Sequence, residues 1–173
     1  MANFNSAIEH HGNVGILDSN VFRGIFARGE MRKIMSDAAY EAQMVHAEAV
    51  LARVEGRLGI IPEEAARDIE RGSDHRRLDR DQLRHDATLV GLPVWGLTRQ
   101  LTKLVEPEES GRFVHWGLNT HDIMDLAQAL QMKSAFDLLS RQLDVVIQLL
   151  VGLSSEYRTT LMVSRTHLQR KGP

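Results

Sequence analysis

The chain contains no cysteine, which excludes disulfides and thiol chemistry. It has no excess of one charge: 21 Lys and Arg stand against 23 Asp and Glu, and the formal net charge of -2 gives no general affinity for nucleic acid or an anionic membrane. Nowhere does an uninterrupted apolar run reach about 18 residues, the minimum for a membrane span. The first twenty residues lack the basic start and apolar stretch of a signal peptide. A soluble cytoplasmic protein is the expectation. Also missing are strand-like alternation long enough for a sheet, a repeat period and any low-complexity tract. What remains is 173 residues, 43% hydrophobic and 25% charged, enough for a globular unit with a real core.

The apolar pattern is helical throughout, and the predicted fold class is all-α. From Ser36 a helix carries Tyr40, Met44, Ala47, Leu51, Val54 and Leu58 at spacings of three and four, which keep one face toward a core. Gly59 ends it, and Pro62 can open the next short helix. Residues 72–80 read as a charged loop in which His75 sits among Arg71, Arg76, Arg77 and Arg80, a basic surface that solvent or an anion would meet. A second series runs through Leu83, Ala87, Val90, Val94, Leu97, Leu101 and Leu104, with a break near Gly91 to Pro93 because proline lacks an amide hydrogen and crowds the preceding turn. The third, from Thr120 to about Tyr157, contains no proline. Its apolar positions Leu139, Leu143, Val146, Leu150, Leu153 and Tyr157 repeat at heptad-like intervals along a helix on the order of 50 Å. Such a helix cannot bury its stripe against itself and needs other long helices, from its own chain or from copies.

Two segments carry candidate chemistry. In Val114-His115-Trp116-Gly117-Leu118-Asn119-Thr120-His121-Asp122, Asn119 or Thr120 can cap the long helix by accepting from its first-turn amides. The same amides, with the positive end of the helix dipole, suit an anion, although Asp122 and Asp125 would repel one unless they point away. A well-capped helix with no ligand is the plainer reading of this segment by itself. Ser164-Arg165-Thr166-His167-Leu168-Gln169 presents His167 beyond the far end of that helix, and an imidazole with a pKa of about 6.5 can donate or accept a proton near neutrality.

Together these segments resemble the fumarase/aspartase superfamily. One family signature has the form His-x-Gly-x-Thr-Ser-x-Asp, where this chain has His115, Gly117, Asn119, Thr120 and Asp122. The other has the form Gly-Arg-Thr-His-Leu-Gln with a later proline, matched here by Ser164 to Gln169 and Pro173. Similarity extends through Phe26 to Asp37, Glu48 to Pro62 and Gly91 to Leu101. Asn119-Thr120 in place of Thr-Ser keeps hydrogen-bonding capacity but changes size and donor placement. The resemblance implies anti elimination, its reverse, or the related cycloisomerisation on a di- or tricarboxylate. It implies His167 as catalytic general acid and His115, Asn119, Thr120, Thr166 and Gln169 as substrate-binding residues, with no metal and no cofactor. It also implies a homotetramer built on a central helical bundle, its active sites shared between subunits. Three regions follow: a mobile or partner-draped arm over residues 1–20, an N-terminal helical domain over 21–112, and the start of the bundle domain over 113–173. The family's Gly-Ser-Ser-x-Met-Pro-x-Lys-x-Asn loop, which carries the catalytic base, is absent before Pro173, so the resemblance makes this an N-terminal portion.

Within the superfamily, Phe26 to Asp37 and Gly91 to Leu101 look like 3-carboxy-cis,cis-muconate cycloisomerase. Adenylosuccinate lyase, releasing fumarate, is the alternative, but the Arg-Tyr pair that helps hold its nucleotide phosphate would fall at Ile25-Phe26, where the arginine is missing. The His-Asp pair of that enzyme has its counterpart neither in spacing nor in register at His85-Asp86, which reads as a surface helix pair. Several cycloisomerases resemble Arg-Thr-Trp-Leu-Gln at the signature that holds His167 here, so His167 favours elimination, which needs a proton donor for its leaving group. His10, His11 and His46 have no ligand-spaced partner, and no metal site is assigned. A reading from another class is a helical oligomerisation module without catalysis; downstream coding sequence with the Ser-rich loop would separate the two.

Overall fold

The computed structural model describes Ser19 and residues 21–161, 163–167 and 169–171, with backbone only at Arg23, 164–166 and 169–171. The expected arm over 1–20 therefore lies, Ser19 apart, outside the described residues. Helices α1 (Arg23–Phe26) and α2 (Gly29–Ile34) precede α3 (Asp37–Arg57), α4 (Glu63–Gly72), a 3-10 turn at His75–Arg77, α5 (Arg80–Val90), α6 (Pro93–Leu104), α7 (Glu108–Gly111) and α8 (Thr120–Glu156). A two-stranded ribbon follows, β1 (Ser164–Thr166) antiparallel to β2 (Gln169–Lys171) in the register Thr166 opposite Gln169. The architecture is all-α with this one ribbon added, too short to leave an alternating pattern in the sequence.

The helix boundaries follow local chemistry. Ser36 Oγ accepts from Ala39 N at 3.2 Å and caps α3. At the other end Gly59, at φ 70°, lets Ile60 N–H reach Glu55 O and its own N–H reach Gly56 O, a Schellman closure. Asp79 caps α5 through the amides of Asp81 and Gln82, Gly91 ends it in the left-handed region, and Pro93 occupies the start of α6.

Contacts group the chain into two units, one reaching to Ala135 and one from Phe136 onward, with α8 running from the first into the second. In the first unit Met44, Val45 and Ala47 of α3 pack with Leu83 of α5, Val94, Leu97 and Leu101 of α6, and Ile123 and Ala127 at the start of α8. A second cluster joins Ala52 to Ile61, Ala66, Ile69 and Val105 beneath Phe113 and Val114. The predicted stripe of α3 holds only in its first half. Val54 and Leu58 are 43% and 69% exposed, while Ala52, Glu55 and Gly56 turn inward. A seven-residue spacing drifts around a straight helix by about 20° per repeat, and α4 lies so close that a Cβ on Gly56 would stand 2.5 Å from Ala66 Cβ. The inward residues there are consequently small or polar.

In the second unit the stripe of α8 finds little cover: Leu139, Leu143, Val146, Leu150, Leu153 and Tyr157 are all more than two-fifths exposed. So are Val145, Ile147, Leu149 and Val151 on other faces of the same helix. No helix among the described residues is long and apolar enough to cross a membrane.

Candidate active site

The turn from α7 into α8 is built over two buried carboxyls of α3. Glu48 and Glu55 lie seven residues apart on one face of that helix and are 1% and 7% exposed. His115 reaches down to Glu48, its Nδ1 2.6 Å from Oε1, and is itself mostly buried. Gly117, at φ 72°, passes over Glu55, whose Oε1 a Cβ at that position would meet at 3.9 Å. Phe113 and Trp116 pack their rings in a tilted pair, with centroids 5.6 Å apart, on the same turn.

A hydrogen bond and burial, with charge behind them, shape the titration of the cluster. The hydrogen bond that the ring donates to Glu48 raises the pKa of His115 above its usual 6.5, burial opposes this, and the charges of Glu48 and Asp122 add to the rise. The Glu55 carboxyl is also pushed up, first by burial and then by the charge of Glu48. The second oxygens of both glutamates, Glu48 Oε2 and Glu55 Oε2, are buried without a hydrogen-bond partner among the described residues. A second buried negative charge there is costly, and this is the cause that holds the Glu55 pKa above the usual carboxylate range.

Asn119, rather than Thr120, caps α8. Its Oδ1 accepts from His121 N at 3.1 Å and from the Thr120 hydroxyl at 3.2 Å, while the Asp122 carboxylate reaches back to Asn119 N at 2.9 Å. This is a reciprocal capping box. Its consequence for an anion is direct: Asp122 does not point away but folds over the helix start, and three donors there, the amides of Asn119 and His121 and the Thr120 hydroxyl, already serve the chain's own oxygens. Asp122 and Asn119 thus occupy the donors that an anion at this helix start would use. The protonated form of His115 supplies the positive charge that offsets Asp122.

His167 belongs to the other unit, in the turn between β1 and β2, where it is exposed. The two predicted histidines share an uncommon property: among the described residues, His115 at φ 61° and His167 at φ 46° are the non-glycine positions with positive φ. The side chains of Thr166 and Gln169 lie outside the described residues; their backbones face each other across the ribbon.

The family model of the lyases matches residues 22–173. The chain belongs to this lyase family. It is 32% identical to 3-carboxy-cis,cis-muconate cycloisomerase of Acinetobacter baylyi, over 90% of this chain and 35% of that protein. To N-acetyl-S-(2-succino)cysteine lyase of Enterococcus italicus it is 33% identical, over 88% of this chain and 33% of that protein. Among solved structures, 3-carboxy-cis,cis-muconate lactonizing enzyme of Pseudomonas putida superposes with a TM-score of 0.84 at 30% identity, covering 88% of this chain and 35% of that one. The chain thus spans about a third of the length of the relatives it matches, and the resemblance to the fumarase/aspartase superfamily is borne out.

Two features of this member of the lyase family were not foreseen from its sequence. The carboxyls of Glu48 and Glu55 were passed over, although the seven-residue recurrence of Glu41, Glu48 and Glu55 beside Met44, Val45 and Ala52 placed acids along a buried face. Glu41 is held by Arg80 at 2.8 Å beside a cleft of about 400 Å³, whose walls include none of the candidate site residues. The His85-Asp86 pair also needs correction. His85 is exposed as expected, but Asp86 is 3% exposed, accepts from Gln82 Nε2 at 2.8 Å and faces Arg99 at 3.7 Å. It is a structural anchor between α5 and α6, because Gly96 leaves no Cβ and lets α6 close onto it.

Proposed function

We propose that the protein carrying this sequence is a carboxylate-directed lyase that performs anti elimination, or the reverse addition, in the manner of a 3-carboxy-cis,cis-muconate cycloisomerase. The observation that carries the reading is the junction of α7 and α8, where the turn that holds His115 against Glu48 leads directly into the helix start formed by Asn119, the Thr120 hydroxyl and the His121 amide. These groups would hold the substrate carboxylate, with Thr166 and Gln169 assisting. A base removes the proton from the carbon next to that carboxylate, the electron pair forms the double bond, and the bond to the leaving oxygen or nitrogen breaks. His167 then gives that atom its proton. In the lactonising direction a substrate carboxylate oxygen adds to the double bond and the neighbouring carbon takes the proton. The base would come from a part of the family fold that this chain does not span, and the site would be assembled between subunits of a homo-oligomer, a homotetramer by family resemblance. The residues 113–173 would belong to its bundle domain and 21–112 to the N-terminal domain.

The test is an assay of the full-length protein with 3-carboxy-cis,cis-muconate and with succinyl adducts of amines and thiols. His167→Ala is expected to lower turnover about a hundredfold or more, the range for a lost general acid. Unchanged turnover would remove His167 from the mechanism. Because Ile25 stands where the phosphate-binding arginine of adenylosuccinate lyases falls, cleavage of adenylosuccinate is expected to be weak. A kcat/KM for it of about 10⁴ per molar per second or more, ordinary for an enzyme on its own substrate, would overturn the cycloisomerase-like assignment.

A further inference from the structure

The contact between His115 and Glu48 is built at some cost, and that cost needs a reason. His115 sits at φ 61°, in the left-handed region where an L side chain is strained. Glu48 is 1% exposed and leaves its Oε2 without a partner among the described residues. A purely structural bond between α3 and the following turn would need neither a strained backbone nor a buried carboxylate with one oxygen unsatisfied. What the arrangement does provide is a fixed imidazole: Nδ1 is committed to Glu48, and no hydrogen bond among the described residues engages Nε2.

We propose that Glu48 is the positioning residue of His115, accepting from a protonated Nδ1 so that Nε2–H is the donor presented to the substrate carboxylate and His115 works as a cationic anchor rather than as a base. This rests on the reading of the α7–α8 junction as the carboxylate site. The charged groups that face the imidazole are Glu48 from α3 and Asp122 from α8, and both favour the imidazolium. Glu55, the next acid on the same face of α3, stands against Glu48 and is held toward its neutral form, which leaves Glu48 as the carboxylate that pairs with the ring. When substrate displaces Asp122 from the helix start, its carboxylate replaces one negative partner of His115 by another. No proton has to leave the ring.

Ring-labelled histidine NMR of the full-length protein, with His115 assigned by the His115→Gln variant, tests the dyad without any variant of Glu48. As pH rises, Nε2 is expected to lose its proton first while Nδ1 keeps its own; loss from Nδ1 first would overturn the proposal. Glu48→Gln retains an acceptor but removes the charge, and should lower the His115 titration midpoint by about one unit or more. In the same variant the alkaline limb of kcat/KM should move down by a similar amount, with KM rising and kcat nearly kept at a pH above the new midpoint. Glu48→Asp should restore part of the shift. An unmoved imidazole titration in folded Glu48→Gln would overturn the positioning role. Failure of the site reading is distinguishable: His115→Gln would then leave KM for the carboxylate substrate unchanged even if the NMR behaviour is as described.

Discussion

At the scale of single residues, Glu55 is the group whose protonation the fold controls most plainly. Its pKa is raised from the usual 4.5 by burial and by the charge of Glu48. The folded state therefore binds this proton more tightly than the unfolded chain does. The resulting stability is fully present below the unfolded pKa and is lost as pH rises through the folded pKa. Glu55→Gln, which cannot ionise, should gain stability relative to the parent as pH increases from about 4.5 toward neutrality. Urea unfolding of the two proteins at matched pH values measures the difference. A gap that stays constant with pH would mean that Glu55 is not protonated in the folded state. His115 is raised as well, so its own contribution declines at higher pH, through the window above its usual 6.5. The comparison between variant and parent is needed to separate the two.

At the scale of elements, α3 and α4 show how closely helix ends and helix contacts are specified. Gly56 and Gly59 are three residues apart and do different work. At Gly56 a methyl group would collide with Ala66 of α4 at 2.5 Å, so Gly56→Ala should cost about 1–3 kcal/mol through forced separation of the two helices. At Gly59 nothing lies within 4 Å of the added Cβ, but φ is 70°. There Gly59→Ala should cost about 1–2 kcal/mol from the left-handed backbone alone. Pairing each with Ala66→Gly separates the mechanisms by a double-mutant cycle. The smaller residue should rescue Gly56→Ala and leave Gly59→Ala unrelieved; equal rescue of both would refute the assignment.

At the scale of the whole molecule, the apolar surface of α8 dominates. A helix apolar on most faces is a buried helix in its working state, yet Leu143, Leu149 and Leu150 are 59%, 63% and 58% exposed in the isolated chain. Patches beyond a few hundred Å² mark an interface or an aggregation liability. Self-association through this helix is the expected outcome, measurable by sedimentation at micromolar concentration. Leu143→Glu together with Leu150→Glu should shift the chain toward monomer while leaving the first unit folded, since neither residue belongs to its core. A stable, well-folded monomer of the parent chain would sink both the bundle and an active site shared between subunits.

The sequence by itself determined where helices begin and end, because caps and breaks act within a single turn. Ser36, Gly59, Asp79, Gly91, Pro93 and Asn119 exert their effects on backbone groups at most five residues away. It also determined the family, since the signatures around His115 and His167 are contiguous strings. Only the tertiary structure decided which side of α3 is buried beyond Ala52, that Asp86 is an interior anchor, and that Asp122 closes over the helix start instead of pointing away from it. Above all it decided the pairing of His115 with Glu48, 67 positions apart in the chain. No local periodicity encodes that contact. It exists because the packing of α3 and of the turn before α8 against one core brings a buried carboxylate beneath an imidazole, and the hydrogen bond between them then raises the pKa of His115 against the opposing effect of burial.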